Sequence, residues 1–343
     1  MMKLPQDDHF FMPAEWHSHQ RCWMGFPCRS NSWPFELSRA QASYIEVACA
    51  IAQFEPVTMV VHPDYVIEAK RLGGQQIEIL PLPMNDAWLR DTGATFLIDK
   101  QGHGAGVSWQ FNGWNGSHAD HQLDNELASH ILCSVQLPCY QAPLILEGGA
   151  IHVDGEGTLL TTEQCLLTRN PHLTRVEIEC HLRHYLGINQ IIWLAEGLED
   201  DETTGHIDNL ACFVRPGVVV ALSCRDPQDS HYEILQDNLQ RLRTTKDACG
   251  RTLEVIEIEQ PHRQDHPELG RLTLSYINFY IANGGIVMPI FADPADQAAQ
   301  EILQQLFPQR RVVAINTLDL IHGGGNIHCI TQQQPHLKIH ENL

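Results

Sequence analysis

The sequence predicts an α/β fold in which one unit, a hairpin followed by a helix and a strand, recurs about five times and closes into a ring. Three observations lead to this prediction. Polar or glycine-marked clusters introduce apolar strand pairs at five places, amphipathic segments follow these pairs, and each amphipathic segment leads into another apolar run. The units start roughly 50 to 70 residues apart, which is within the size range of one supersecondary unit.

The strand pairs carry turn residues that are typical of hairpins. An Asp-Gly turn between alternating apolar runs, as at Asp154-Gly155, is a strong hairpin signal. Pro216-Gly217 and the Asn-Gly-Gly run at 283–285 mark two further turns. The predicted pairs are 95–98 with a turn near 99–102, 150–153 with 158–161, 210–214 with 218–222, 276–281 with 286–289, and the glycine-rich stretch that follows 312–315.

Helices are predicted between each hairpin and the strand that completes its unit. Apolar positions recur there with helical spacing, and Ser38, Thr174 and Asp293 are suitable starting residues. The predicted helices are 37–53, 121–133, 174–186, 231–244 and 293–307, and the strands after them are 57–61, 135–137, 191–194, 253–256 and 312–315.

The two chain ends are predicted to complete the ring. A short strand at 22–27 precedes the first helix and supplies the half that the last repeat lacks. Closure would remove exposed sheet edges and place the polar clusters around one axis. No Ser/Gly linker or low-complexity tract interrupts the sequence, so one domain of residues 1–343 is predicted. A doubly wound sheet is the alternative, but neither GxGxxG nor GxxxxGK occurs and the glycines lead into strands.

Composition excludes several classes of function. The chain has 343 residues, and 42 Asp+Glu against 22 Lys+Arg give a formal charge of −20, which disfavours nucleic acid and mildly favours a cationic small molecule. The N-terminal residues lack the apolar core of a signal peptide, and no run reaches the length of a membrane span. Eleven cysteines without regular spacing suggest reduced thiols and a cytoplasmic location.

Five reactive side chains lie next to the polar clusters. Cys329 follows a run of three glycines, at 323–325, and such a run lets a ligand approach the main chain closely; Gly324 is therefore a candidate substrate-binding residue. The Cys329 segment is interpreted as an alternating strand, and a His and acids far away in sequence can serve its thiol. The predicted catalytic residues are Cys329, His206, Asp91, Asp208 and Glu147, and Trp88 is a candidate lid for the substrate.

Such a set suits a planar cation. Carboxylates would repel a developing oxyanion, whereas a guanidinium group offers a fork of N–H donors that Asp91 and Asp208 can bind bidentately. Cys329 would attack the guanidinium carbon, and the bound cation would favour its thiolate. His206 would protonate the departing ammonia and then activate water, with Glu147 holding its ring. If the segment is extended, the spacing of His206 and Asp208 puts both on one face.

Longer motifs make the sequence resemble the agmatine deiminases of the bacterial peptidylarginine deiminase family. The resemblance runs nearly end to end, and its most specific parts are the last three blocks. The blocks are 12–16, 22–25, 85–93, 146–157, 205–209, 278–285 and 323–334.

The resemblance implies a pentein fold, a five-bladed α/β propeller of ββαβ units with pseudo-five-fold symmetry. It implies hydrolysis of agmatine to N-carbamoylputrescine and ammonia through a covalent Cys-amidino intermediate, without a cofactor or metal. A homodimer is also compatible with it. The family's cysteine, histidine, two guanidinium-binding aspartates and histidine-supporting glutamate fall on Cys329, His206, Asp91 with Asp208, and Glu147.

Two positions depart from the family pattern. Asn31 stands where the family often has Asp, and Glu202 replaces an Asp four residues before His206. Both are candidates for the end of the pocket away from the guanidinium, with Glu202 as the substrate-binding acid. The alternatives are therefore a deiminase of arginine, C-terminal peptidyl arginine or another guanidine, a non-catalytic guanidine-binding protein, and a zinc hydrolase. No HExxH or paired Cys/His spacing supports the last, although His328-Cys329 could supply ligands.

Overall fold

The computed structural model of the chain describes residues 3–199 and 201–338. The predicted domain of residues 1–343 includes positions 1, 2, 200 and 339–343, which lie outside the described residues. The strands are β1 (His19–Gly25), β2 (Val57–Val61), β3 (Ile77–Pro81), β4 (Thr95–Ile98), β5 (Gly104–Gln110), β6 (Cys139–Ile145), β7 (His152–Val153), β8 (Thr158–Thr162), β9 (Gln190–Leu194), β10 (Ala211–Arg215), β11 (Val218–Ser223), β12 (Glu254–Glu259), β13 (Asp265–His266), β14 (Gly270–Arg271), β15 (Tyr280–Ala282), β16 (Gly285–Ile290), β17 (Arg311–Asn316) and β18 (Thr331–Pro335).

The helices occupy the connections between these strands. In each of five places, a helix of at least eleven residues leads from one strand to a parallel neighbour, because parallel strands need a crossover connection. The helices are α1 (Leu37–Ile51), α2 (Val66–Gly73), α3 (Leu89–Thr92), α4 (Gly113–Gly116), α5 (Gln122–Ser134), α6 (Glu163–Arg169), α7 (Arg175–Leu186), α8 (His231–Thr244), α9 (Asp296–Leu306) and α10 (Leu318–Ile321).

Four sheets of the described chain share one topology. In each, an antiparallel pair is extended by a third strand that runs parallel to the second: β4-β5-β6, β7-β8-β9, β10-β11-β12 and β15-β16-β17. The predicted hairpin, helix and strand therefore recur, and none of the sheets is closed on itself. A separate two-stranded ribbon, β13-β14, lies in the connection between the third and fourth of these sheets.

The fifth sheet joins the two chain ends, as the sequence predicted. Its order is β18-β1-β2-β3, with β18 antiparallel to β1 and β2 parallel to β1. The register pairs Met24 with Thr331 and Cys22 with Val57. Because β18 pairs with the otherwise free edge of β1, the last strand in the described residues is held by the first strand.

Apolar packing explains why these segments form strands and helices. All residues of β2, β8 and β11 are buried, which is typical of strands that are covered on both faces. The helix α7 has a capping box between Thr174 and Glu177, and it ends at Gly187, whose φ of 67° suits a left-handed C-cap. In the described ranges, no helix combines the length and the apolar composition that crossing a membrane requires.

Three local predictions were wrong. The strand predicted at 135–137 does not form, because α5 continues to Ser134 and Gln136 takes a left-handed φ of 58°, so that β6 starts only at Cys139. The strand predicted at 276–281 is reduced to β15, which starts at Tyr280. The Cys329 segment is a turn that ends before β18 rather than part of a strand.

The His206 segment also differs from the prediction. The residues 207–209 form a short 3-10 helix, with His206 as its N-cap, so the segment is not extended. The side chains of His206 and Asp208 therefore reach the site through a tight turn, and not because alternate residues of a strand share one face.

Candidate active site

A pocket between the ends of several sheets contains the predicted nucleophile. Its empty space is about 390 Å³. Cys329 and Asp91 line the pocket, whereas Glu147, His206 and Asp208 are buried behind this lining. The residues that line it are Trp88, Asp91, Trp114, Ser117, His118, Glu202, Thr203, Gly323, Gly324, Gly325 and Cys329.

The thiol of Cys329 is held by polar neighbours from two other repeats. Its Sγ atom lies 3.2 Å from Nδ2 of Asn278 and 3.6 Å from Oδ2 of Asp208. The Asn278 side chain also accepts hydrogen bonds from the backbone N–H groups of His328 and Cys329, at 2.9 and 3.3 Å. Burial and then the charges of Asp208 and Asp91 raise the pKa of Cys329 well above its usual value. These surroundings therefore favour the protonated thiol.

Asp91 is oriented by two donors. Gly149 donates its backbone N–H to Oδ1 at 3.0 Å, and the indole Nε1 of Trp114 donates to Oδ2 at 2.9 Å. Burial is the main reason that the pKa of Asp91 is raised, to about 6, with Glu147 and Asp208 adding to it and His206 opposing it. The ionised form of Asp91 is therefore unfavourable in free energy at this buried position until a cation binds beside it.

Trp114 adopts an unfavourable backbone conformation. Its φ is 51°, and the next residue, Asn115, has a φ of 63°. A bulky residue in the left-handed region costs on the order of 1–3 kcal/mol and persists where surrounding contacts fix it. Here, the fixed conformation directs the indole N–H to Asp91 and places the ring on the pocket wall.

Gly149 lies where no side chain fits. A Cβ atom there would lie 2.6 Å from Nδ1 of His206, 2.9 Å from Oδ2 of Asp208 and 2.9 Å from Oδ1 of Asp91. The Glu-Gly-Gly motif is therefore a packing requirement of the site, since its second glycine lets three polar side chains converge.

His206 lies between two carboxylates. Its Nε2 atom is 3.4 Å from Oε2 of Glu147, and its Nδ1 atom is 3.8 Å from Oδ1 of Asp91. Burial alone would lower its pKa, but the charge of Asp91 and the hydrogen bonds with Cys165 and Glu147 raise the pKa of His206 well above its usual value. These carboxylates therefore favour the imidazolium form of His206, and its Nδ1 has no hydrogen-bond partner among the described residues.

Glu147 is kept ionised by its neighbours. Arg169 donates from Nε to Oε1 of Glu147 at 2.7 Å, with both side chains fully buried. Although burial raises the pKa of Glu147, the hydrogen bond with His206 and the charge of Arg169 lower it below the usual value. The pair can therefore stabilise a charged His206, which agrees with the role predicted for Glu147.

Asp208 is held from behind by His328. The Nδ1 atom of His328 lies 2.9 Å from Oδ2 of Asp208, and its Nε2 lies 2.9 Å from Oε1 of Glu15. Burial raises the pKa of Asp208, but the hydrogen bond and charge of His328 lower it below the usual value. The second oxygen, Oδ1, is buried without a partner. This oxygen is available to accept a hydrogen bond from a bound cation.

The outer part of the pocket carries the two residues that depart from the family pattern. Glu202 lines both the pocket and an adjoining pocket, which is called the mouth below, whereas Asn31 lines only the mouth. A Cβ atom on Gly324, whose φ is 95°, would lie 2.5 Å from Oε2 of Glu202. Trp88 stacks on Trp33, with ring centroids 5.8 Å apart, and forms an aromatic wall between the two ends.

One cluster in the described residues has donor atoms suitable for a metal ion. Ligand atoms of Glu147, Cys165 and His206 all lie within 4.8 Å of one another. The predicted zinc alternative would place its ion there. However, Arg169 is already bound to Glu147, and its positive charge opposes a second cation at that carboxylate.

Several polar residues at the site were not found by reading the sequence. Asn278 lies in the 278–285 block, where the sequence indicates no role for it, and the sequence indicates His328 only as a possible metal ligand. Trp114, Arg169 and Glu15 carried no signal that separates them from ordinary buried residues. Their importance follows from contacts between segments far apart in the sequence, such as 313 positions between Glu15 and His328.

The fold and the site together define a class of protein. The repeated sheet topology is that of an α/β pentein, and the pocket combines a buried thiol, an imidazolium and two carboxylates around a space for a cation. This is the arrangement of guanidino-group-modifying enzymes.

Comparison with known proteins narrows this class. The model of the Porphyromonas-type peptidyl-arginine deiminase family matches residues 11–335. A Legionella pneumophila (strain Paris) protein is 51% identical over 98% of both chains, and the agmatine deiminase of Pseudomonas fluorescens is 45% identical over 96% of this chain and 97% of its own. The structure of the Enterococcus faecalis agmatine deiminase superposes with a TM-score of 0.94, at 36% identity, covering 97% of this chain and 98% of that one. The chain belongs to the Porphyromonas-type peptidyl-arginine deiminase family.

Proposed function

We propose that this chain is an agmatine deiminase, a hydrolase that converts agmatine and water into N-carbamoylputrescine and ammonia. The observation that carries the proposal is the position of the Cys329 thiol, 3.6 Å from Asp208 in a pocket that Asp91 also lines. Relatives named as agmatine deiminases at 44–46% identity support this substrate.

The two aspartates bind the guanidinium in this proposal. Asp208 has a free oxygen, and Asp91 offers the remaining lone pairs of a carboxylate that two donors have already oriented. When two carboxylates accept hydrogen bonds from a planar guanidinium, they fix the orientation of its plane. Its carbon then faces the sulfur of Cys329.

Substrate binding itself activates the nucleophile. The carboxylates that raise the pKa of Cys329 are neutralised when a guanidinium binds between them, so the pKa of the thiol falls and the thiolate becomes accessible. The thiol then releases its proton to water, and the sulfur forms a bond to the guanidinium carbon. His206, already protonated, donates a proton to the departing nitrogen, which leaves as ammonia.

The second half of the reaction restores the thiol. His206, now neutral, takes a proton from water, and the water oxygen bonds to the carbon of the Cys-amidino intermediate. The C–S bond breaks, the carbon keeps the oxygen as the carbonyl of the product, and the hydroxyl proton passes to the departing sulfur, which restores the thiol while His206 is again protonated. Glu147 stabilises each protonated state of His206 from its position at 3.4 Å.

Glu202 is the proposed acceptor of the distal amine. It lies at the outer part of the pocket, and its longer side chain reaches the space above Gly324. Arginine would bring a carboxylate to this acid, so repulsion favours agmatine over arginine and over a C-terminal peptidyl arginine. Asn31, at the mouth, adds no charge to this recognition.

The arrangement of the sheets is also part of the proposal. Four sheets with one topology and a fifth formed by the chain ends support five blades around a common axis with pseudo-five-fold symmetry. All eleven cysteines are free, which supports a reducing compartment such as the cytoplasm.

A panel of guanidines read by ammonia release tests the function. We expect agmatine to be turned over with the highest kcat/KM, and arginine and C-terminal arginyl peptides to be at least about a hundredfold worse. Turnover of arginine equal to that of agmatine would overturn the proposed substrate. Activity that a chelator abolishes would favour a zinc hydrolase instead.

A further inference from the structure

Arg169 is a buried residue whose contacts connect the His206–Glu147 pair with the loop that carries Glu202. It lies at the end of α6 and is 1% exposed. Its three guanidinium nitrogens bind three different groups: Nε donates to Glu147 at 2.7 Å, Nη1 to Oγ1 of Thr204 at 2.7 Å, and Nη2 to the carbonyl of Thr203 at 2.8 Å. A guanidinium is a rigid plane, so these three groups are fixed relative to one another.

We propose that Arg169 is a positioning residue that couples the loop at 201–205 to the His206–Glu147 pair, so that recognition of the substrate's distal cation by Glu202 depends on it. The inference rests on the proposed function, because it takes Glu202 as the acceptor of the distal amine. Arg169 does not touch the substrate in this arrangement.

The loop needs external support to keep its shape. Thr204 has a φ of 56°, a left-handed conformation that is unfavourable for a β-branched residue. The side chain of Asp201 accepts hydrogen bonds from the N–H groups of Thr203 and Gly205, at 2.9 and 3.0 Å. Glu202 is exposed and lies between these turn contacts, so its direction is set by the backbone on both sides.

The N-terminal end of helix α6 also contacts the backbone on both sides of Glu202. Thr162, the N-cap of the helix, donates from Oγ1 to the carbonyl of Gly205 at 2.6 Å. Gln164 accepts from the N–H of Gly197 at 2.7 Å. The helix α6 therefore binds Gly197 before the loop and Gly205 at its end, and Arg169 is the attachment that also reaches Glu147.

The position of Arg169 has an energetic consequence. Hydrogen bonds to a buried charged group are stronger than ordinary ones, and their loss leaves polar atoms unpaired. If Nη1 and Nη2 lose their partners, the backbone at Thr203 and Thr204 can relax from its unfavourable conformation and Glu202 moves from the pocket. The guanidinium of the substrate would still find Asp91 and Asp208, so binding of the charged tail is affected first.

A matched pair of substitutions at Thr204 tests this coupling without touching the ion pair. Thr204→Val removes the hydroxyl that accepts from Arg169 and keeps the shape, whereas Thr204→Ser keeps the hydroxyl. The substrates are agmatine and n-pentylguanidine, in which a methyl group replaces the distal ammonium. We expect Thr204→Val to lower the ratio of kcat/KM for agmatine to that for n-pentylguanidine about tenfold, and Thr204→Ser to keep the ratio within about twofold.

A double-mutant cycle separates coupling from general destabilisation. Glu202→Gln should lower the same ratio, and Thr204→Val added to Glu202→Gln should lower it no further, because both act on one interaction. Arg169→Lys, which keeps the charge but not the fork, should lower the ratio and also kcat, since it disturbs Glu147. It serves in the same test if Thr204→Val does not fold.

The outcomes also distinguish this inference from the proposed function. A large wild-type ratio that Thr204→Val and Arg169→Lys both leave unchanged would overturn the inference alone. The inference would also be overturned if the double variant lowered this ratio by the full product of the two single effects, because the two residues would then act independently. A wild-type ratio near one would overturn the role of the distal amine, and both proposals with it.

Discussion

The imidazole of His328 lies 2.9 Å from the carboxylate of Asp208, with both side chains buried. Since His328 immediately precedes Cys329, the backbone that positions the sulfur also positions the partner of Asp208, the acid that we propose binds the guanidinium. On its other side, the ring is 2.9 Å from Glu15, which Arg90 also contacts at 3.3 Å. The orientation of Asp208 thus depends on a chain of buried charged groups that includes Glu15, which precedes β1, and Arg90.

Replacing His328 should impair Asp208. His328→Leu leaves two buried carboxylates without their shared donor, and we expect kcat/KM to fall on the order of a hundredfold or more. His328→Gln keeps one N–H donor and should lose less. Because His328 lowers the pKa of Asp208, its loss raises that pKa, so the acid limb of the kcat/KM profile should move to higher pH.

The control for this prediction is His130→Gln. His130 is exposed on α5, so its replacement should change neither kcat/KM nor the acid limb. If His328→Leu kept wild-type kinetics and an unshifted profile, the support of Asp208 by His328 would be disproved.

Cys329→Ala should abolish ammonia release while agmatine still binds. Both aspartates remain in place, so calorimetry should give a dissociation constant within about tenfold of the wild-type KM. Cys133→Ala is the matched control, because Cys133 is an exposed free thiol far from the pocket lining. Ammonia release by the Cys329→Ala enzyme above background would contradict a covalent mechanism at this sulfur.

Agmatine binding should weaken below pH 6. The pKa of Asp91 is raised to about 6, chiefly by burial, and the guanidinium needs the ionised carboxylate. As pH falls through 6, Asp91 gains a proton that must be released before binding, so the dissociation constant should rise about tenfold for each pH unit further down. Titrations of the Cys329→Ala variant between pH 7.5 and 5 measure this directly, and a constant affinity over that range would refute it.

Gly324→Ala should weaken agmatine binding more than it weakens the fold. The new Cβ atom would lie 2.5 Å from Oε2 of Glu202, so the acid must move. Gly284→Ala is a close control, since Gly284 has a φ of 80° and its Cβ atom would meet nothing within 4 Å. Both variants should lose about 1–2 kcal/mol of stability from the left-handed backbone.

Only the Gly324 variant should show a raised KM for agmatine. Thermal unfolding and steady-state kinetics on both variants make the comparison. Equal KM values in the two variants would mean that Glu202 is not fixed against the glycine run.

The sequence predicted the repeat, and it located the polar clusters that the structure brings close together, because their signals are local. The Asp154-Gly155 turn, the capping residue Thr174 and the glycine run before Cys329 each act on their own neighbourhood, and α8 coincides with its predicted range of 231–244. The strand after α5 was misplaced because a left-handed Gln136 ends the apolar run, and sequence periodicity carries no signal for that.

The supporting residues of the site could not be predicted in the same way. Arg169, Asn278 and Glu15 act through partners that are 22 to 313 positions away. A buried arginine paired with a glutamate and a surface arginine have the same appearance in a sequence. Their roles depend on which repeats face one another, and that is a property of the folded chain.

The pairing of β18 with β1 has a consequence for protein synthesis. The strand β1 is made early, and its open edge stays without its partner until nearly the whole chain has left the ribosome. Cys329 lies directly before β18, so the sulfur cannot meet Asp91 and Asp208 in a partly synthesised chain. The side chains of the proposed site therefore come together only after residue 329 has been synthesised, and a nascent polypeptide that stops before it lacks the proposed nucleophile.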